Sequence, residues 1–212
     1  MIIKKSELEL PYIFVAVPKT GTNSIQNFMR AEHLIPDLAR KECRWLTRDY
    51  HLSIKEIYEK YKINDPGKYY KFAFHRNPWD RMVSFWHDYT TDRIHLAWSK
   101  GLLAYNNFET FVLQFNDSEW RHHKNFKPTV EYTHVDGKQE VDMIGLYNNF
   151  ENDLSQCFSH INLSYDKFVM TKKLRKAPRE KNYKKYYTNE KMIQAVADAF
   201  ADDISTFGDK FD

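Results

Sequence analysis

A polar loop lies between the first apolar run of the sequence, residues 12–17, and a helical pattern. The loop reads Pro-Lys-Thr-Gly-Thr-Asn-Ser over residues 18–24. Such a loop presents the unpaired N–H groups of a first helical turn, where Gly21 permits close approach to a phosphate and Lys19 supplies positive charge. Further hydroxyl and amide donors come from Thr20, Thr22, Asn23 and Ser24. The loop predicts an anion site, and the alternative is an ordinary strand-to-helix turn with a capping threonine.

The second apolar run, residues 69–74, ends in a similar way. Arg76 follows it, and Asn77-Pro78 has the sequence of a helix N-cap followed by a first helical residue. Ser84 returns to the same helix face two turns after Asn77, so an arginine and a hydroxyl flank a second helix N-terminus. The alternative is a set of solvated surface ion pairs, formed by Arg76 and Arg81 with Asp80 and Asp88.

Positive charge is concentrated in one part of the chain. The formal net charge is only +3, yet residues 172–185 contain eight basic residues and a single acid, Glu180. A concentrated excess indicates an anionic ligand. A solvated charge run, or a nucleic-acid patch using the interleaved tyrosines at 183, 186 and 187, is the alternative.

Strand patterns alternate with helical ones along the chain, which predicts an α/β fold. Ser53 and Glu56 have capping-box spacing, and the apolar spacing after Thr188 predicts one long terminal helix that ends at Gly208. The aromatic-rich region from about 90 to 145 gives no clear assignment. We predict a P-loop-like central parallel sheet flanked by helices, in a single domain over residues 1–212.

Composition excludes several classes of protein. With 212 residues, 42% hydrophobic, the chain can form a core and is not wholly disordered. No apolar run approaches the ~20 residues that span a bilayer, and the N-terminus lacks the pattern of a secretory signal. Two cysteines, Cys43 and Cys157, are too few for a disulfide framework or a four-ligand zinc site. These features favour a soluble cytoplasmic protein with no membrane segment.

In combination, the two loops resemble those of PAPS-dependent sulfotransferases, where PAPS is 3′-phosphoadenylyl sulfate. Residues 18–24 are similar to the loop that binds the 5′ phosphosulfate, and residues 74–84 to the segment that binds the 3′ phosphate. The membrane-type carbohydrate branch, sulfotransferase family 2, is the most similar. Residues 141–145 resemble its Asp-Phe-Ile-Gly strand, and residues 186–208 resemble its Tyr-Tyr to Phe-Gly ending.

The chain departs from the family pattern at two places. His75 stands where the family usually has valine before the arginine, and residues 145–148 read Gly-Leu-Tyr-Asn where the family has Gly-Arg-Phe-Glu. The missing arginine and glutamate leave the donor site untouched, but they put contacts to the acceptor and local ion pairing in doubt.

The resemblance implies sulfuryl transfer from PAPS to a hydroxyl or amine of a carbohydrate or small molecule, with PAP as product and without metal or nucleic acid. It implies that the 5′ phosphosulfate is bound by Lys19, Thr20, Gly21, Thr22, Asn23 and Ser24. It implies that Arg76 and Ser84 bind the 3′ phosphate, and that Arg175 and Lys176 belong to a loop that closes over the nucleotide. Lys19 would also stabilise the departing phosphate.

A general base is also required, and His51 is the first candidate. It resembles the family histidine before the second strand, and a histidine can accept a hydroxyl proton near neutral pH. His122 and His123 compete, because they lie in a segment similar to the acceptor side of the family. His75 falls within a buried strand pattern, which favours a packing role.

Two other functions fit parts of the sequence. A P-loop kinase is disfavoured because a Walker A loop places its lysine after the second glycine, whereas Lys19 precedes Gly21. A non-enzymatic polyanion binder would use the basic residues 172–185, with strongly salt-dependent binding.

Overall fold

The computed structural model describes residues 2–3, 11–31, 51–92, 101–102, 104–105, 107–166 and 180–211. In these ranges the strands are Ile2–Ile3 (β1), Tyr12–Val15 (β2), Tyr70–His75 (β3), His134–Val135 (β4), Lys138–Gln139 (β5) and Met143–Leu146 (β6). The α-helices are Thr22–Ala31 (α1), Ile54–Tyr61 (α2), Pro78–His87 (α3), Phe108–Gln114 (α4), Thr129–Thr133 (α5), Phe150–His160 (α6), Glu190–Ala199 (α7) and Ala201–Phe207 (α8). Contacts divide the chain into two compact units. The first unit consists of Met1–His75 and Thr129–Leu174, and the second of Arg76–Pro128 and Arg175–Asp212.

The first unit contains a sheet with the strand order β1-β2-β3-β6. β2 pairs with β3 and β3 with β6 in parallel, whereas β1 pairs antiparallel with β2. Val15 lies opposite Ala73, and Phe74 opposite Gly145. Because parallel strands end at the same edge, the chain leaves β2, β3 and β6 on one side of the sheet, where ligands of α/β proteins usually bind.

Both faces of this sheet are covered by helices of the same unit. Tyr12, Phe14, Phe72 and Phe74 pack on one face with apolar residues of α1 and α6. The alternate residues, which include Ile13 and Val15 in β2, pack on the other face with α2 and α5. The α/β fold with central parallel strands flanked by helices, as the sequence predicts, is confirmed.

The second unit has an aromatic core, and aromatic residues between 107 and 128 form part of it. Phe85, Phe111, Phe115 and Phe126 are fully buried, and their ring centroids lie 4.3 to 5.9 Å apart along the chain of contacts. Around them lie α4 and the short 3₁₀ turns Phe115–Asp117, Glu119–His122 and Lys124–Phe126. Sequence periodicity missed these elements because most are too short to show a helical repeat.

Local capping signals fix several helix ends as predicted. Ser53 and Glu56 form both bonds of the capping box, and Asn77 caps α3 through the N–H groups of its first turn. The prediction of one long terminal helix from Thr188 is wrong. Asn189 is the cap, and the helix breaks at Phe200, whose backbone is not helical and whose buried ring stacks on Phe115. Gly208 ends α8 in a left-handed conformation, as expected of a C-terminal glycine.

A buried ion pair joins α3 to α8 within the second unit. Arg81 and Asp203 are both fully buried, with Nη1 and Oδ2 3.8 Å apart. Arg81 also donates from Nη2 to Lys127 O at 2.8 Å and lies over the rings of Phe85 and Phe200. Arg81 therefore belongs to the core rather than to a solvated surface pair with Asp88.

We expect Asp203→Ala to lower the free energy of unfolding by about 3–5 kcal/mol, because it removes a buried carboxylate from a buried guanidinium. The double variant Arg81→Met with Asp203→Leu removes both charges and should lose less. Urea denaturation measures both, with the exposed neighbour Asp202→Ala as control, expected to change stability by less than about 0.5 kcal/mol. Equal losses for Asp203→Ala and Asp202→Ala would contradict a role for the pair.

Candidate active site

The loop after β2 is held by hydrogen bonds to a single carbonyl. Thr20 Oγ1 and Thr22 Oγ1 both donate to Val17 O, at 2.9 and 2.7 Å, and both side chains are buried. Their hydroxyl protons therefore point into the loop. Ser24 N–H donates to Gly21 O at 3.0 Å, so the backbone N–H groups of Thr22 and Asn23, at the start of α1, are those that the loop can offer to an anion.

Backbone conformation and charge both suit this role. Lys19 and Gly21 have positive φ angles of 66° and 88°, a region that residues other than glycine rarely adopt. The first turn of α1 carries no acidic residue, whereas the first turns of α2 and α3 each contain one. The positive end of the α1 dipole is thus not offset by a carboxylate of its own first turn.

An aromatic ring closes the space beside Gly21. A Cβ atom on Gly21 would lie 2.5 Å from a ring carbon of Phe150, the first residue of α6. The Phe150 ring in turn lies 4.8 Å from that of Phe74, and a Cβ on Gly145 would meet Phe74 at 2.5 Å. Glycine is therefore required at 21 and at 145 by packing, and at 21 also by backbone conformation.

His51 lies next to the same loop. Its Nδ1 is 2.7 Å from Ala16 O, at the end of β2. Because a carbonyl can only accept, Nδ1 must carry the hydrogen of this bond. In the neutral ring Nε2 then holds the lone pair, which is the form that can accept a proton.

The segment after β3 belongs to the second unit and is built around Arg76. This side chain is buried, and its Nε donates to Asp80 Oδ2 at 2.7 Å. Asp80 lies in the first turn of α3, and Asn77 Oδ1 accepts from the N–H groups of Trp79 and Asp80. The Arg76–Asp80 pair of the alternative interpretation is present, but Arg76 is buried and Asp80 is only 17% exposed, so it is not a solvated surface pair. Ser84 lies two turns further along α3 and is half-buried.

The remaining histidines are placed differently. His75 is buried in β3 with Nδ1 2.9 Å from Thr129 Oγ1, in agreement with a packing role. His123 Nδ1 accepts from the N–H of Asn125 at 3.3 Å, and its ring packs against Trp120. Burial, together with the nearby Lys124, lowers the pKa of His123. His122 is exposed.

Residues 9–211 match a family model described as the sulfotransferase family. The chain belongs to the sulfotransferase family. The resemblance seen in its loops is thereby confirmed over nearly the whole chain, and it supports a transferase of sulfuryl groups. No curated protein and no solved structure matches the chain with significant similarity.

The structure of this sulfotransferase brings only some of the predicted residues together. In the first unit, residues 19–24 and His51 share the end of β2; Arg76 and Ser84 lie in the second unit, while Arg175 and Lys176 fall outside the described residues. Phe150 was missed, since it is 129 positions from Gly21 and nothing local marks it. The sequence indicates Asp80 only as a partner in a surface ion pair, whereas in the structure it holds the buried Arg76.

Two further observations concern the described part of the chain. None of its helices is both long and apolar enough to cross a bilayer. Among its side chains, no group of three or more His, Cys, Asp or Glu is arranged to hold a metal ion.

We expect Gly21→Ala to destabilise the protein more than Gly137→Ala. Both glycines have positive φ, so each alanine costs about 1–2 kcal/mol of backbone strain, but a Cβ at 137 meets nothing within 4 Å. At position 21 the collision with Phe150 adds roughly 1–3 kcal/mol. Urea denaturation of both variants measures the difference, and Gly21→Ala should cost less in the Phe150→Ala background than in the wild type. Equal losses at the two glycines would show that the ring does not restrict the loop.

Proposed function

We propose that this chain transfers the sulfuryl group of PAPS to a hydroxyl or amine of a carbohydrate or small molecule, and releases PAP. The observation that carries the proposal is the loop of residues 18–24, which offers backbone N–H donors at a helix N-terminus beside His51. Membership in the sulfotransferase family supports the same reaction. Because the family model spans both compact units, we propose that they form one sulfotransferase domain over residues 1–212.

The two phosphate groups of the nucleotide are assigned to different loops. Residues 19–24 would bind the 5′ phosphosulfate through backbone N–H groups and the ammonium of Lys19. Arg76 and Ser84 would bind the 3′ phosphate, for which the guanidinium offers charge and several donors. The resemblance of residues 18–24 and 74–84 to the two phosphate-binding segments of the family supports this assignment. Closure of Arg175 and Lys176 over the nucleotide remains a prediction.

In the proposed reaction, residues of the chain position groups and stabilise charge. His51 Nε2 takes the proton from the acceptor oxygen as that oxygen bonds to sulfur, in line with the breaking bond to the 5′ phosphate. Lys19 and the N–H groups of the loop stabilise the negative charge that develops on the departing phosphate. Positioning and electrostatics account for most of such a barrier, by analogy with phosphoryl transfer.

Hydrogen bonding favours His51 over His123 as the base. His51 donates from Nδ1 to Ala16 O, which leaves the lone pair on Nε2. His123 uses its Nδ1 lone pair to accept the N–H of Asn125, so its Nε2 carries the hydrogen in the neutral ring. His123 acts as a cap for the turn Lys124–Phe126. A cytoplasmic location, and an acceptor other than a nucleic acid, remain predictions.

We expect PAP to raise the melting temperature of the protein, and ATP to have no comparable effect. Lys19→Ala and Arg76→Ala should each lower the rate of sulfate transfer from radiolabelled PAPS by about 100-fold or more. Each variant removes the positive side chain that is proposed to bind one phosphate group of the nucleotide. Lys55→Ala, on the exposed face of α2, is the matched control. Stabilisation by ATP but not by PAP, or full activity in Lys19→Ala, would refute the proposal.

We expect His51→Asn to lower kcat by about 10²–10⁴-fold while PAP still binds. The asparagine amide can replace the Nδ1–H donor to Ala16 O, so the variant removes the base and keeps the contact. The variant should also lose the acidic limb of the kcat–pH profile. His123→Asn, which keeps an acceptor for the Asn125 N–H, should retain activity and this limb. Loss of activity in His123→Asn alone would transfer the role to His123.

A further inference from the structure

Residues near 210 contact the start of the helix that follows Arg76. Asn77 Nδ2 donates to Lys210 O at 3.0 Å. The ring of Phe211 meets that of Trp79 edge-to-face, with centroids 5.7 Å apart. Two neighbouring residues thus contact the cap and the first turn of α3 from 132 or more positions away.

Phe211 is itself part of an aromatic group in the second unit. Its ring lies 5.7 Å from that of Tyr183 and 5.2 Å from that of Tyr187, both edge-to-face. Tyr187 donates from its hydroxyl to Trp79 O at 2.9 Å, and Trp79 Nε1 donates to Ile193 O at 2.9 Å. Trp79 is therefore fixed by its carbonyl, by its indole N–H and by the Phe211 ring.

A continuous series of hydrogen bonds connects Lys210 to Arg76. Asn77 bonds Lys210 O through Nδ2 and accepts the N–H of Asp80 through Oδ1. Asp80 Oδ2 in turn accepts from Arg76 Nε at 2.7 Å. The amide of Asn77 thus joins a distant chain segment to the carboxylate that orients the guanidinium.

We propose that residues Lys210–Phe211 form a positioning strap, which fixes Asn77 and, through Asp80, sets Arg76 to recognise a 3′ phosphate. This inference rests on the proposed function, in which Arg76 binds that phosphate. Because the strap already restricts the Arg76 side chain, less conformational entropy is lost when a phosphate binds. Preorganisation of this kind increases affinity. Its effect is limited to nucleotides that carry a 3′ phosphate.

The test compares two nucleotides that differ only in that group. Isothermal titration calorimetry measures the Kd of PAP and of adenosine 5′-phosphate for the wild type, Asn77→Ser and Phe211→Ala. Serine at 77 keeps a cap acceptor but has no amide to donate to Lys210 O, and it adds no charge. Ile204→Ala is the control, because Ile204 packs on the same core but is not part of the strap.

We expect Asn77→Ser and Phe211→Ala each to weaken PAP binding about tenfold, and to leave the Kd of adenosine 5′-phosphate within about twofold. Ile204→Ala should leave the ratio of the two Kd values unchanged. Equal weakening of both nucleotides, or no change in either, would overturn the strap while the proposed function stands. A wild type that binds PAP no more tightly than adenosine 5′-phosphate would overturn the 3′-phosphate site itself. If Phe211→Ala does not fold, Asn77→Ser alone decides the outcome.

Discussion

Parallel pairing of β2, β3 and β6 determines where the candidate functional groups of the first unit lie. Because these strands run in the same direction, their carboxyl ends form one edge, and the loop of residues 18–24 begins there. His51 forms a hydrogen bond with the carbonyl of Ala16, the residue that directly follows β2. The rings of Phe150 and Phe74 pack on each other, with Phe150 against Gly21 and Phe74 against Gly145. They thereby pack the loop after β2 against β6. The position and conformation of this loop thus follow from strand direction and from two positions without a Cβ atom.

The buried arginines of α3 and its cap illustrate a second constraint. A buried guanidinium is stable only if carboxylates or carbonyls satisfy it, and each of these arginines has such partners in its own unit. Asp203 and Lys127 O hold Arg81 in the core, where the cation also lies over two rings. Arg76 is held by Asp80, four residues away. Arg81 therefore has a partner from the distant helix α8, whereas Arg76 has a partner only four residues away in the chain.

The tautomer of His51 and of His123 depends on the backbone group that lies next to Nδ1 of each ring. A carbonyl beside Nδ1 places the lone pair of the neutral His51 ring on Nε2, whereas the Asn125 N–H beside Nδ1 of His123 places the ring hydrogen on its Nε2. The sequence places both in plausible segments and cannot separate them. The difference arises from backbone atoms that become neighbours only in the folded chain.

Features that depend on neighbours a few residues apart could be predicted from the order of the residues. These are the strands at 12–15 and 70–75, the Ser53 and Asn77 caps, the left-handed end at Gly208, the two loops and the family. The residue order did not predict the break at Phe200, because a buried ring overrode the helical repeat there. Three contacts became visible only in the folded chain, because each joins residues more than 100 positions apart: Gly21 with Phe150, Arg81 with Asp203 and Asn77 with Lys210. Short-range hydrogen bonding and periodicity carry no information about such pairs, which form when packing brings distant segments together.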